Sequence, residues 1–220
     1  MGGSIGHKIY HCNSPNDILD CSSIVKRGGV IIFPTDTVYG IGCDPFNDMA
    51  VRRVFDIKGR ERSNPLPILA ATIESVRKIV KMDSMANILA RKYWPGRLTI
   101  VCPQQDNGIS SLVSANSGKI AVRIPGNKCA LELLRECIYL TGTSANRSGE
   151  ESLRDIGQLN SSPLLGIDAI LNGGYIAYSK ESTIIDVSRQ GHPDILRNGA
   201  LASDEIFETI YGEGDIDKTF

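Results

Sequence analysis

The residues of this 220-residue chain that could do chemistry fall in four short stretches. The first is FPTDTVYGIG (33–42), where hydroxyls at Thr35, Thr37 and Tyr39 follow an apolar run at a spacing of two. In an extended segment that spacing puts all three on one side. Gly40 and Gly42 let the backbone approach a neighbour closely. The same threonines could equally bond to local backbone groups. The second stretch is KGRERSNPLP (58–67). Residues 52–62 hold five cations and two acids, a net of +3, in a chain whose total is −1. Lys58, Arg60 and Arg62 can clamp an oligophosphate, because catalysis at phosphorus needs cations fixed where charge develops. They could also form a solvated face at a helix C-terminus. The third stretch is LTGTSANRSG (140–149). Thr141, Thr143, Ser144, Asn146 and Ser148 lie between and beside two glycines, as in a plain turn or in a loop whose N–H groups hold an anion. The fourth is a pair of arginines in apolar strands, Arg123 of AVRIP and Arg197 of ILRNG. Each needs either an acidic partner or an anionic ligand.

No G-x-x-x-x-G-K-[ST] and no G-x-G-x-x-G after a strand occurs, so a nucleotide site would use another geometry. A net charge of −1 argues against holding long nucleic acid by bulk electrostatics. No apolar run approaches the roughly 18 residues of a membrane span. The start, MGGSIGHKIY, lacks the apolar core of a secretory signal. It also fails the myristoylation pattern at Gly6. Six cysteines, at 12, 21, 43, 102, 129 and 137, show neither a C-x-x-C pair nor zinc spacing with His7, His11 and His192. The expectation is six free thiols in a reducing cytoplasm. Several hydroxyl loops and isolated cations around a sheet point to an enzyme with an anionic substrate.

Those loops must be positioned by alternating strands and helices. Strands are predicted at 7–11, 30–34, 67–70, 98–103, 119–125, 138–142, 169–174, 182–187 and 194–199. Helices are predicted from Ser14-Pro15 to about Arg27 with Gly28-Gly29 as the stop, and from an Asn47 cap to near Gly59. Further helices are expected at 72–81, 83–93, 127–137 and 204–212. The pattern is an α/β fold with a mixed, open sheet. From Asp204 onward six acids stand against one Lys, the signature of a solvated acidic tail.

Taken in order, GGVIIFPTDTVYGIG, IKGRERSNPLPIL, YWPGRLTIV, IAVRIP, TSANRSG, STIIDV and ILRNGA resemble the YrdC family, the threonylcarbamoyl-AMP synthases of the TsaC type, over residues 14–200. The family's K-x-R and S-x-N set falls on Lys58, Arg60, Ser144 and Asn146. The resemblance implies a twisted open mixed sheet with flanking helices and a deep cationic cavity. It implies a nucleotidyltransferase that makes threonylcarbamoyl-AMP and pyrophosphate from L-threonine, bicarbonate or CO2, and ATP with Mg2+. A partner transferase would pass the threonylcarbamoyl group to position 37 of tRNA. The same resemblance implies a single catalytic domain over 1–202, followed by a short terminal helix and acidic tail over 203–220.

By the same resemblance Lys58, Arg60, Ser144 and Asn146 are catalytic. Thr35, Tyr39, Arg123 and Ser182 face the threonine, with Arg123 on its carboxylate. Lys58, Arg62, Lys119, Ser144, Asn146, Arg154 and Arg197 contact ATP. Three positions depart from the family pattern: Lys119 stands where many members have Thr, Leu69 where many have His, and Arg97 where many have Pro. Adenylating a carbamate brings two anions together, so the barrier is electrostatic and positional. The chain shows no Ser–His or Cys–His nucleophile, and the reaction needs none. Competing readings are an RNA-binding protein of the same fold and a paralogous carbamoyl-adenylate-forming enzyme. The lack of an aromatic-rich RNA motif counts against the first, and the absence of zinc-type cysteine clusters counts against the second.

Overall fold

The apolar run at 30–34 forms β2 (Ile31–Phe33), and all three residues are buried. Successive side chains of a strand point to opposite faces. Ile31 and Phe33 join an apolar cluster with Tyr10, Ile18, Val25, Leu133 and Leu171. Ile32 joins the larger cluster with Ile41, Val54, Phe55, Ile68 and Ile100. A strand covered on both faces reads as a continuous run rather than an alternation.

The computed structural model describes residues 8–105, 108–160, 164–178, 180–189 and 191–212. The expected mixed α/β class is what forms, with the strands divided between two mixed sheets. One has the order β1 (Ile9–His11), β9 (Ala169–Asn172), β2, β3 (Gly40–Gly42), β8 (Thr143–Ser144). The other has the order β11 (Asp194–Arg197), β10 (Thr183–Asp186), β5 (Leu98–Pro103), β6 (Lys119–Arg123), β4 (Ile68–Ala70), β7 (Tyr139–Thr141). β7 and β8 belong to different sheets and are separated only by Gly142, whose N–H donates to the Pro67 carbonyl at 2.8 Å. The sheets therefore meet at this point. A Cβ on Gly42 would lie 1.8 Å from the Thr141 carbonyl oxygen, so only glycine permits the approach.

Helix caps follow from the sequence. Ser14 accepts the Asp17 N–H at the start of α1 (Pro15–Lys26), and Asn47 accepts the Ala50 N–H at the start of α2 (Asp48–Lys58). α2 ends at Gly59 in the left-handed region. α3 (Ile73–Ile79) is shorter than the predicted 72–81, because Val80 turns extended and bridges to Gln104. α4 (Ser84–Tyr93) and α5 (Lys128–Cys137) match their predicted spans closely. α6 (Ser203–Tyr211) buries Ile206 in the larger core, and the Tyr93 hydroxyl donates to the Glu205 carbonyl at 2.9 Å. Of the acidic stretch predicted from Asp204, residues 204–211 lie in α6, and the part after Gly212 lies outside the described residues. No described helix is long and apolar enough to cross a membrane.

The expectation of six free thiols is corrected. Cys12 and Cys129 form a disulfide, with their Cα atoms 5.5 Å apart and a sequence separation of 117. The turn after β1 brings Cys12 beside the first turn of α5, a long-range contact that no local spacing announces. Cys21, Cys43, Cys102 and Cys137 remain free, and burial pushes each thiol up to about 12. Denatured without reductant, the protein should titrate four thiols with Ellman's reagent. With prior reduction it should titrate six. A count of six in the unreduced sample would contradict the Cys12–Cys129 bond.

Candidate active site

A cavity of about 480 Å³ opens where the two sheets meet. One face of the second sheet forms its floor, and the alternation of strand side chains explains which residues reach it. Thr99 and Val101 of β5, Ala121 and Arg123 of β6, and Ser182 and Ile184 at β10 all line it. Leu69, Thr35, Thr37, Gly142, Ser144 and Arg60 close its sides. Its ionic lining is three arginines, Arg60, Arg123 and Arg197, against one carboxylate, Glu181. This is a net of +2.

α2 places the first cations. After its last residue, Gly59 turns the chain so that Arg60 lies along the following loop. There Nε donates to the Asn64 carbonyl at 3.2 Å and Nη2 to the Pro65 carbonyl at 3.1 Å. Lys58 turns inward instead and is 2% exposed. Its ammonium donates to the Ser144 carbonyl, and to the Asn146 carbonyl at 2.6 Å. Burial, helped by the charge of Arg60, pushes the amine down to about 8, and Glu181 opposes the shift. Lys58 thus stitches the 144–146 loop to α2. Within that loop the Asn146 amide donates to the Arg147 and Glu150 carbonyls, while its buried Oδ1 has no hydrogen-bond partner among the described residues.

The opposite end is built around Arg123. Its side chain is 6% exposed, and Nη2 meets Asp36 at 2.6 Å. Nε donates to the Gly96 carbonyl at 2.8 Å and Nη1 to the Thr37 hydroxyl at 3.2 Å. Burial lowers this guanidinium, and Asp36 counters it. A guanidinium has five N–H donors, so two remain for a ligand. The Thr35 hydroxyl accepts from the Thr37 and Val38 N–H groups and donates to the Val38 carbonyl at 2.6 Å. That tight turn replaces the extended run expected from the spacing. It explains why Thr35 and Thr37 line the cavity while Tyr39 does not. The Tyr39 hydroxyl instead donates to the Gly174 carbonyl at 2.7 Å.

Ser182 bonds to the Thr99 hydroxyl at 2.8 Å and accepts from Arg197 at 3.1 Å. Arg197 also pairs with Glu181. Burial would raise the Glu181 carboxyl, but Arg197, the Ser144 and Ser152 hydroxyls and Lys58 together hold it below its usual range.

Of the expected residues, Arg60, Ser144, Thr35, Arg123, Ser182 and Arg197 share the cavity. Lys58 and Asn146 stand behind its wall, joined to Ser144 by the Lys58 bonds. Arg62 is exposed, 3.7 Å from Asp56. Lys119 pairs with Asp186 at 2.9 Å. Arg154 lies over the Tyr175 ring at 5.3 Å. None of these three is a lining residue. Sequence reasoning missed Glu181 and Thr99. The signals were an acid directly before STIIDV and a lone hydroxyl inside the apolar strand LTIVCP.

The Sua5/YciO/YrdC family profile, described as "Telomere recombination", matches residues 23–199. A threonylcarbamoyl-AMP synthase of Pyrococcus abyssi is 34% identical, covering 87% of this chain and 56% of that protein. A threonylcarbamoyl-AMP synthase of Bacillus subtilis is 31% identical, covering 93% and 60% respectively. The chain therefore spans less than two thirds of the length of these two relatives. The crystal structure of P. abyssi Sua5 complexed with L-threonine superposes with a TM-score of 0.87 at 31% identity, over 94% of this chain and 61% of that one.

Proposed function

Because the chain belongs to the Sua5/YciO/YrdC family, we propose that it is a nucleotidyltransferase that forms threonylcarbamoyl-AMP from L-threonine, bicarbonate or CO2, and ATP. The observation that carries this reading is one cavity lined by Arg60 and Ser144 together with Arg123, Thr35 and Ser182. Such a hollow can hold two anionic substrates in contact. Relatives named as synthases of this product, and a related protein solved with L-threonine, support it.

In the proposed reaction the neutral amine of threonine adds to CO2, releasing a proton and leaving a carbamate. A carbamate oxygen attacks the α-phosphorus of ATP, the bond to the bridging oxygen breaks, and pyrophosphate departs. Arg123 holds the threonine carboxylate through its two remaining donors. Arg60 and Arg197 neutralise phosphate charge, and the Ser144–Asn146 loop holds the nucleotide. Mg2+ would be supplied with the triphosphate and would offset its charge. Glu181 is the one carboxylate lining the cavity and is already engaged by Arg197. No cluster of three metal-ligating side chains occurs among the described residues. Mg2+ commonly keeps substrate phosphate oxygens among its ligands, and the triphosphate would supply them. The labile adenylate would then pass to a transferase that modifies tRNA.

The test is an omission assay with ATP, Mg2+, labelled threonine and bicarbonate. Pyrophosphate release and a labelled adenylate should appear only when all are present. Release that is indifferent to threonine would overturn the reading.

A further inference from the structure

The described residues 173–178 and 180–182 lie between β9 and β10, and Glu181 and Ser182 line the cavity. This strap is fastened at both ends. Near its start the Tyr39 hydroxyl donates to the Gly174 carbonyl, and the N–H of buried Ile176 donates to the Arg154 carbonyl at 2.9 Å. At its end Glu181 is held by Arg197 and by the Ser152 hydroxyl. Tyr175, Ala177, Tyr178 and Lys180 are exposed, and the guanidinium carbon of Arg97 lies 3.3 Å from the centre of the Tyr178 ring.

Neither the core nor the proposed chemistry gives Arg97 a part. Among the described residues it has no ion-pair partner. It is half-buried in the turn between α4 and β5, and that turn is bonded on two sides. Gly96 gives its carbonyl to Arg123 and its N–H to the Ile124 carbonyl. The Arg97 carbonyl accepts the Thr183 N–H at 3.1 Å. The stack therefore ties the strap that delivers Ser182 to the same turn that holds Arg123. A cation stacked on an aromatic face is attracted by the ring quadrupole, and desolvation strengthens that attraction.

We infer that Arg97 and Tyr178 form a clasp that positions the Arg123–Ser182 end of the cavity for the carboxylate end of an amino-acid substrate. The inference rests on the proposed function, since that reading puts the amino acid at this end. Both are positioning residues; neither lines the cavity. With the clasp open, the strap must be ordered when substrate binds, and affinity for the amino acid falls more than affinity for ATP, which meets the strap through the Glu181 partner Arg197.

The test uses the full chain and the variants Arg97→Ala, Tyr178→Ala, Tyr178→Phe and the double alanine variant. The expected result is a threonine KM raised roughly 3- to 30-fold in both alanine variants. Turnover number should stay within about twofold, ATP KM should rise less than threonine KM, and the double variant should be no worse than the worse single one. Tyr178→Phe keeps the ring and should behave as wild type. Hydrogen exchange of the peptide covering 173–182 gives a readout that needs no activity. It should quicken in the alanine variants and not in Tyr178→Phe. Unchanged exchange in both alanine variants overturns the clasp. Quicker exchange with an unchanged threonine KM overturns its part in substrate binding. If the wild type itself shows no threonine-dependent turnover, the proposed function fails and takes the substrate assignment with it, while the exchange arm still reports whether the stack holds the strap.

Discussion

Replacing Lys58 with methionine is expected to cut threonine-dependent turnover about 10²- to 10³-fold, equivalent to about 3–4 kcal/mol in the barrier, while the protein stays folded. The two effects separate because Lys58 costs the fold something and gives the site something else. Its ammonium is buried, and the amine sits at about 8 rather than the ordinary 10.5. Between those two pH values the unfolded chain binds more protons than the folded one, so stability rises as pH climbs through that window. Below about pH 8 the fold carries the whole cost of the buried charge, on the order of 3 kcal/mol. Methionine removes that cost and fills similar space. Against this, it leaves the Ser144 and Asn146 carbonyls without their donor, at roughly 1–3 kcal/mol each. The two terms nearly offset, so the urea midpoint should move little. Turnover cannot recover in the same way. The 144–146 loop loses the tether that fixes Ser144 at the cavity wall, and the charge behind the triphosphate end is gone. The measurement pairs pyrophosphate release with urea unfolding on the same preparation. Turnover within threefold of wild type would remove Lys58 from the machinery. A collapsed midpoint would show that the tether serves the fold first.

Local rules made part of this molecule legible before its structure. The Asn47 cap, Pro15 at the first helical position and Gly59 at the end of α2 are set by neighbours within four residues, and each appears where the sequence puts it. The run at 30–34 reads as a strand buried on both faces because it is one. What stayed hidden depends on distant pairing. β3 is three residues, two of them glycine, with no apolar signal of its own. It exists because Ile41 pairs with Ile32 on one side and with Thr143 on the other. β8 has only two residues and depends on that same partner. The Cys12–Cys129 bond, Glu181 at the cavity and the inward turn of Lys58 are likewise contacts across 16 to 117 residues. The hydroxyl spacing at Thr35, Thr37 and Tyr39 misled for a related reason. Period two marks one face only if the segment is extended, and here the Thr35 side chain folds it into a turn.

The Asp36–Arg123 pair makes the opposite case from Lys58, a buried charge whose partner the fold cannot lose. Arg123 and Asp36 are both largely buried, at 6% and 14% side-chain exposure, and meet at 2.6 Å. Asp36 also accepts the Gly126 N–H at 2.8 Å, which ties the segment before α5 to the same carboxylate. Asp36→Ala is expected to cost about 3–5 kcal/mol, because a guanidinium is left in a dry site without its counter-charge. In a chain of this size that amounts to a Tm loss of roughly 6–20 °C. Arg123→Met in the same background removes the stranded charge, so the double variant should regain part of that loss. Isolated ion pairs at the surface behave otherwise. Arg62–Asp56 is more than half exposed on both sides, and its removal should be nearly silent. Equilibrium urea unfolding of the two singles and the double closes the cycle. Stability recovered in the double variant, with amino-acid binding still lost, would assign Asp36 to holding Arg123 and Arg123 to holding the substrate carboxylate. If Asp36→Ala costs less than 1 kcal/mol, or if the double variant is no more stable than that single one, the pair does not organise this end of the cavity, and the anchor proposed for the threonine carboxylate must be sought elsewhere.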